Sequence, residues 1–433
     1  MVYRPGWFPE YSPAEQLVFD DIKKIIESNY SQYGFAHIQT PAVEANSVLL
    51  AKNGEDAGKQ IFWLYWLAQG NQDTKDYALH FDLTVPFARY VLDHEGEIVF
   101  PFKRYQVQPV RRGERSQRGR FKEFRQSDID VIWRDEWTTD IWKNLYYDAE
   151  MLVVIAKTLD EIIAKFLDNK PFSVRTNNRY LLAGFFSQFD EKLVPQLYNL
   201  LDKYYKIGLD VFTKELKELL SDTDAQKVLD FIQTEFDRLD PNLVDNDLYR
   251  RWYAELQEVF AGVDNLNQSK KYTIVRDPCI IRGLDYYTGT VYETFFDDDM
   301  ALGSISSGWR YENLTGYINP KKSHYSWVGW SIGLSRMVYL ILETTKPENK
   351  THVEYLFVNF SETMKDIAML ANIFIDEWKN IEIYPSADKL GKQFAYADKK
   401  WIPHVVILGE WEKDLKRYKI KDMKAGTETE MSL

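Results

Sequence analysis

The sequence holds one cysteine, Cys279, in 433 residues. An internal disulfide is therefore impossible, and a multi-cysteine metal site is excluded. Glycine is scarce too, at 21 residues, about 5% against a usual ~7%. No apolar run reaches the ~20 residues of a membrane-spanning helix. The opening residues MVYRPGWFPEYSPAEQ lack the apolar stretch of a signal peptide. No GxxxxGK[ST] occurs, so a P-loop is not expected. Internal repeats and low-complexity tracts are absent as well. These absences together point to the cytosol.

What is present is a globular composition, 45% hydrophobic and 28% charged, in a chain long enough for two or three domains. The net charge of −12 argues against nonspecific nucleic-acid binding. The charge is unevenly spread, however. Arg111, Arg112, Arg115, Arg118, Arg120, Lys122 and Arg125 crowd one stretch against Glu114 and Glu123. Lys389, Lys392, Lys399 and Lys400 form a second basic run. An acidic protein with local basic patches holds a polyanion at chosen places.

Periodicity gives a coarse architecture. Residues 12–33 read as a helix, with Pro13 after a Ser N-cap. GFAHIQTPAVE (34–44) reads as extended, with Pro41 closing the strand. A strand is expected over 77–83, then a helix through 87–92. FKRYQVQPV (102–110) and FKEFRQSDIDVIW (121–133) alternate as two strands of a long hairpin around the polar loop 111–120. Residues 177–264 read as helices. Strands return at 272–277 and 290–296, and 326–343 reads as a strand end, a Gly turn and a helix. A polar linker, TTKPENKT, precedes strand–helix–strand–helix–strand order, a small α/β domain with a partly parallel sheet.

Three arginines stand out. Arg112 opens the hairpin loop, Arg282 lies in IRGLDYYTGTVYE, and Arg336 follows a Gly-rich turn. An isolated arginine is ordinarily a solvated or ion-paired group. Three at such places favour a triphosphate substrate, since guanidinium is planar, bidentate and permanently charged. Asp82, Asp128 and Asp130 recur on the same expected strands. They read either as turn-capping carboxylates or as groups that bind Mg²⁺ or a cationic substrate.

RGLDYYTGTVYE (282–293) resembles the signature of histidyl-tRNA synthetases. FDLTVPFARYV (81–91), ERSQRGRFKEFRQSDIDVI (114–132) and GWSIGLSRM (329–337) resemble that family's histidine pocket, class II motif 2 and class II motif 3. GFAHIQTPAVE resembles motif 1, which builds the dimer interface, and 387–410 resembles the anticodon-binding domain. The resemblance runs from about Phe8 to the last residue.

The resemblance implies an α+β fold: a class II antiparallel sheet flanked by helices, a helical insertion, and a C-terminal α/β anticodon-binding domain. The implied boundaries are 1–176 and 268–345 for the catalytic domain, 177–267 for the insertion and 351–433 for the last domain. It implies ATP and Mg²⁺, L-histidine, histidine tRNA, a homodimer and a cytoplasmic place, with no dedicated protein metal site. Arg112 and Arg282 take the catalytic roles on either side of the α-phosphate, and also touch histidine. Arg112, Arg120 and Arg336 serve ATP. Asp82, Leu83, Thr84, Gln126, Asp130, Tyr286 and Tyr287 form the histidine pocket. Arg115, Gln117, Lys389, Lys392 and Lys399 meet the tRNA.

Two alternatives carry less weight. The synthetase-like regulatory subunit of ATP phosphoribosyltransferase usually lacks the anticodon domain and has lost catalytic arginines, both of which this chain keeps. A class II synthetase for threonine, proline or glycine would not carry RGLDYYTGTVYE. The chain also departs from the family. His80 stands where arginine is common, and Arg125 replaces a usual aromatic. Trp63, Trp66, Trp133, Trp309, Trp330 and Trp401 stand where glycine is expected, with Trp327 and Trp411 weaker cases. The expectation is a codon that the source organism reads as glycine, UGA being the candidate.

Overall fold

The computed structural model describes residues 5–51, 60–64, 76–113, 119–135, 141–281, 287–347 and 349–433, with backbone only at 141–144, 287 and 288. The chain divides into two compact units. One comprises Met1–Pro9 and Ile22–Thr345, the other Glu10–Asp21 and Lys346–Leu433.

In chain order the first strands are β1 (Ala36–His37), β2 (Val43–Ala45), β3 (Trp63–Leu64) and β4 (Tyr77–Leu79), followed by β5 (Phe102–Arg111) and β6 (Glu123–Arg134). Next come β7 (Phe172–Asn178), β8 (Ile274–Arg276), β9 (Tyr287–Phe296), β10 (Ser306–Glu312) and β11 (Tyr325–Ile332). Eight of these form one sheet in the order β1-β5-β6-β11-β10-β9-β7-β8, while β2, β4 and β3 form a small sheet beside it. The large sheet is antiparallel except for β1 on β5 and β7 on β8. Its longest ladder is the expected hairpin, paired from Phe102↔Ile132 to Arg111↔Glu123.

Helix Ile141–Phe166 packs against β11. Its buried residues Leu145, Ala149, Leu152, Ala156, Leu159 and Ile163 recur at alternating steps of four and three, one face of a 3.6-residue helix. That signal was present in the sequence, but the helix was not among the expected elements. The helices Arg179–Phe186, Val194–Leu219, Asp222–Gln233 and Asp247–Leu266 enclose a core of their own, including Phe185, Leu201, Phe212 and Phe231. Three start on the residue types that cap helices: Asn178, Ser221 and Asn246 each accept from backbone N–H groups of the first turn.

The second unit carries β12 (Tyr355–Phe357), β13 (Ile381–Ile383), β14 (His404–Ile407), β15 (Arg417–Asp422) and β16 (Glu428–Ser432) in the order β13-β12-β14-β15-β16. The first three pair in parallel across helices Met364–Asp376 and Leu390–Lys400. The antiparallel β15 and β16 lie beyond the expected strands.

Two local expectations are corrected. Pro41 does not close a strand. Two short strands flank it, β1 pairing with β5 and β2 with β4, because proline fixes φ and offers no N–H to a ladder. The strand expected over 77–83 stops at Leu79, and the helix that follows begins at Thr84.

Candidate active site

The hairpin register decides which side chains meet. On β5 and β6, Arg104 is paired with Asp130, Gln106 with Asp128 and Gln108 with Gln126. Side chains alternate between faces, so these six share one face. On the next strand, Gly329 pairs with Asp130 and Ser331 with Asp128. A Cβ at Gly329 would meet Asp130 Oδ1 at 2.0 Å, so glycine is what admits the carboxylate there. From β10, the Tyr311 hydroxyl donates to Asp130 Oδ1 at 2.7 Å. Tyr287, at the start of β9, is paired with Tyr311.

Arg112 follows β5 directly. Its Nε donates to the Phe81 carbonyl at 2.9 Å, and its guanidinium lies 5.1 Å from the Phe124 ring centre. This ties the arginine to the segment that carries Asp82, Leu83 and Thr84. Leu83 is buried and precedes helix Thr84–Asp93, while Asp82 Oδ1 accepts from Val85 N at 3.3 Å. Gln126 Nε2 donates to Ser331 Oγ at 3.2 Å.

Three carboxyls crowd this face, and their protons show it. Burial pushes Asp82 up to about 6, opposed chiefly by Arg112. Burial pushes Asp130 up to about 7, opposed by Arg104 and the Tyr311 hydroxyl. Asp128 is also raised by burial, against Arg104 and Ser331. A pocket of carboxylates and amide oxygens over a tyrosine hydroxyl accepts N–H donors, such as an ammonium group or an imidazole ring.

Arg336 sits in the first turn of helix Leu334–Thr344, after Gly333. Its Nη2 donates to Leu302 O at 2.5 Å, and its Cγ lies 3.6 Å from where a Gly119 Cβ would stand. Gly119 is thus placed beside Arg336 at the described end of the hairpin loop. Arg120 is exposed. His80 is fully buried, with Nε2 2.7 Å from the Pro109 carbonyl, and burial lowers its pKa.

The structure therefore gathers Asp82, Leu83, Thr84, Arg112, Gln126 and Asp130, and sets Arg336 against the loop end. Arg115, Gln117, Arg282 and Tyr286 lie outside the described residues, and Tyr287 is described by backbone alone. In the second unit, Lys389 and Lys399 are exposed on and beside helix Leu390–Lys400. Lys392 Nζ donates to Asp388 at 2.8 Å.

Sequence reasoning missed Arg104, Tyr311, Gly329 and Ser331. Arg104 was not recoverable by counting, since the expected loop 111–120 puts the strands three positions out of the observed register, which pairs 104 with 130. The other three come from strands far along the chain, and only the sheet order joins them.

Comparison with known proteins agrees along the chain. A sequence model of the family "Histidyl-tRNA synthetase" matches residues 8–337, and one of an "Anticodon binding domain" matches 355–433. A histidine–tRNA ligase of Clostridium tetani is 38% identical, covering 99% of this chain and 95% of its own. One from Finegoldia magna is 35% identical over 99% and 96%. The crystal structure of a histidyl-tRNA synthetase from Nostoc superposes with a TM-score of 0.86 at 33% identity, covering 100% of this chain and 97% of that one.

Proposed function

The chain belongs to the histidyl-tRNA synthetase family, and we propose from that premise that it activates L-histidine with ATP and loads it onto the 3′ end of its tRNA. What carries the reading is the match over nearly the full length, joined to the buried carboxyls Asp82, Asp128 and Asp130 beside Arg112.

Activation requires the histidine carboxylate to attack the α-phosphate, two anions brought together. Arg112 and Arg282 stand as fixed cations on either side, offsetting charge that builds on the phosphate oxygens without reorganising. No protein base is required, because the nucleophile is already a carboxylate. Arg336 takes the γ-phosphate, and Arg120 adds charge at the loop. Mg²⁺ entering with ATP would offset part of the phosphate charge beside these arginines. Asp82, Leu83, Thr84, Gln126 and Asp130, with Tyr286 and Tyr287, form the histidine pocket, and Gln126 and Asp130 accept from the ring N–H groups. A competing side chain without ring N–H groups leaves those acceptors unpaired.

Transfer follows at the motif 2 loop, where Arg115 and Gln117 meet the acceptor end. Lys389, Lys392 and Lys399 hold the anticodon arm from the domain at 351–433. Residues 1–176 and 268–345 make the catalytic domain around the insertion at 177–267. The protein works in the cytoplasm as a homodimer, its motif 1 segment at the interface.

Pyrophosphate exchange with each of the twenty amino acids tests this. Exchange with histidine alone is expected, and exchange driven by another amino acid, or by none, would overturn it.

A further inference from the structure

Among the described residues, Arg104 is the one cationic side chain of the pocket face that the family resemblance leaves without a role. It is fully buried, with Nη2 2.5 Å from Asp130 Oδ2 and its guanidinium 4.2 Å from the Phe87 ring centre. Burying a guanidinium is costly unless a carboxylate compensates it. Asp130 is held from three strands: by Arg104 on β5, by the Tyr311 hydroxyl on β10, and by the glycine at 329 on β11 that leaves it room. The other ionisable groups acting on it are Asp128 on its own strand and Asp82. Both are acidic, so Arg104 is the nearest positive charge among the described residues that offsets the crowding.

We propose that Arg104 is a positioning residue for imidazole recognition, orienting Asp130 as an acceptor for a ring N–H of the substrate and favouring its ionised form. The inference rests on the histidine reading of the pocket. Without Arg104, burial and two neighbouring acids would raise Asp130 further, and its protonated form presents a hydroxyl donor on one oxygen.

The test is the pH dependence of kcat/KM for histidine in pyrophosphate exchange, for the wild type, Arg104→Gln and Arg104→Lys. An opposite charge at this distance typically lowers a carboxyl pKa by about 1–3 units. Arg104→Gln should move the acidic limb up by about that much, raise KM for histidine and leave KM for ATP unchanged. Arg104→Lys should restore most of the profile. The substrate's own imidazole titrates alike in every variant, so the difference reports the protein. A uniform loss at all pH values, or an equal rise in both KM values, would make Arg104 merely structural and overturn the proposal. Should Arg104→Gln not fold, Asp130→Asn carries the test, because it must lose the protein's share of the acidic limb. An unchanged limb there overturns the proposal equally. Absence of histidine-dependent exchange in the wild type would instead sink the functional reading.

A separate observation concerns tryptophan. Helix Pro13–Gln32 ends with Gly34 at φ 79°, Gly34 N donating to Ser31 O and Phe35 N to Tyr30 O. This is a Schellman motif, whose left-handed position is usually glycine. The same bonds close two helices of the second unit. Trp378 N donates to Ile375 O and Lys379 N to Phe374 O, while Trp401 N donates to Asp398 O and Ile402 N to Ala397 O. Trp378 and Trp401 thus hold the glycine position, at φ 61° and 60°. A bulky residue is strained there. Trp378 is 93% exposed, so packing does not offset the strain.

We infer that the native protein carries glycine at 378 and 401, from a codon its organism reads as glycine. The backbone narrows the wider expectation. Trp63, Trp133, Trp309 and Trp330 lie on strands, not in the left-handed region. Trp330 stacks on Tyr292 with ring centres 4.9 Å apart. Trp66 lies outside the described residues. The gene and the mass of the native C-terminal peptides decide the matter. UGA codons with glycine masses are expected. UGG codons, or tryptophan masses, would end the idea. As a check on the recombinant chain, Trp378→Gly and Trp401→Gly should each raise the melting temperature, and a fall in both would contradict the backbone argument.

Discussion

Two ion pairs of similar length sit in very different surroundings. Arg104 and Asp130 approach to 2.5 Å with side chains 0% and 5% exposed, whereas Lys392 and Asp388 approach to 2.8 Å at 68% and 31%. The first has lost its water, so removing one partner strands a buried charge, which typically costs about 3–5 kcal/mol. The second is screened by salt and contributes little. The pocket fixes its charges in a geometry that chemistry can use. The helix at Leu390–Lys400 keeps its charges in water, where a polyanion can release counterions on binding. Burial is thus what separates the two pairs, one fixed in geometry and the other left to exchange with water and salt.

That contrast is open to breaking by experiment. The largest effect is expected at the chemical centre. Arg282→Ala should abolish histidine-dependent exchange, by on the order of 10²–10³-fold or more, while circular dichroism shows the fold intact. Near wild-type exchange would remove this arginine from the mechanism.

Smaller and more selective is the loop. Replacing Arg115 and Gln117 together with alanine should depress tRNA charging far more than adenylate formation. Equal loss in the two assays would place both residues in the ATP site.

Acid should act on the two regions with opposite sign. The raised carboxyls Asp82, at about 6, and Asp130, at about 7, hold protons that an unfolded chain releases near pH 4. Their contribution to stability is full below about pH 4 and is lost as pH rises through 6 and 7. Asp388 and Asp422 are lowered, the first mainly by Lys392 and the second by backbone N–H groups at Ala425 and Lys424. Their contribution is present above about pH 4 and is lost as pH falls through their folded values. Hydrogen exchange on the substrate-free protein, corrected for the intrinsic pH effect, should show β5 and β6 gaining protection from pH 7.5 to 5. Strands β14 and β15 should gain none. Parallel changes would mean that some other group dominates.

The smallest effect is expected on the basic helix. Neutralising Lys389, Lys392 and Lys399 should weaken tRNA binding modestly. It should also lower the slope of log K against log salt by about 0.7–0.9 for each phosphate that is no longer neutralised. Exchange without tRNA should not change. An unaltered slope would make these lysines an ordinary solvated helix face.

Much of this was written in local patterns. The hairpin, the first helix and the α/β order of the last unit follow from periodicity and punctuation, because the residues that pair in each lie close in sequence. Arg112, Asp82, Gln126 and Asp130 stood out because their motifs are compact. The strand order β6-β11-β10-β9 was not legible, and with it went Tyr311, Gly329 and Ser331. A strand's own residues state which face is apolar, but not which distant strand will lie beside it. That choice is made by the whole core at once, and it alone put a glycine opposite Asp130. The sequence by itself determined the family, the chemistry and most elements. The tertiary structure decided which charges lose their water, and so which of them the pocket can use.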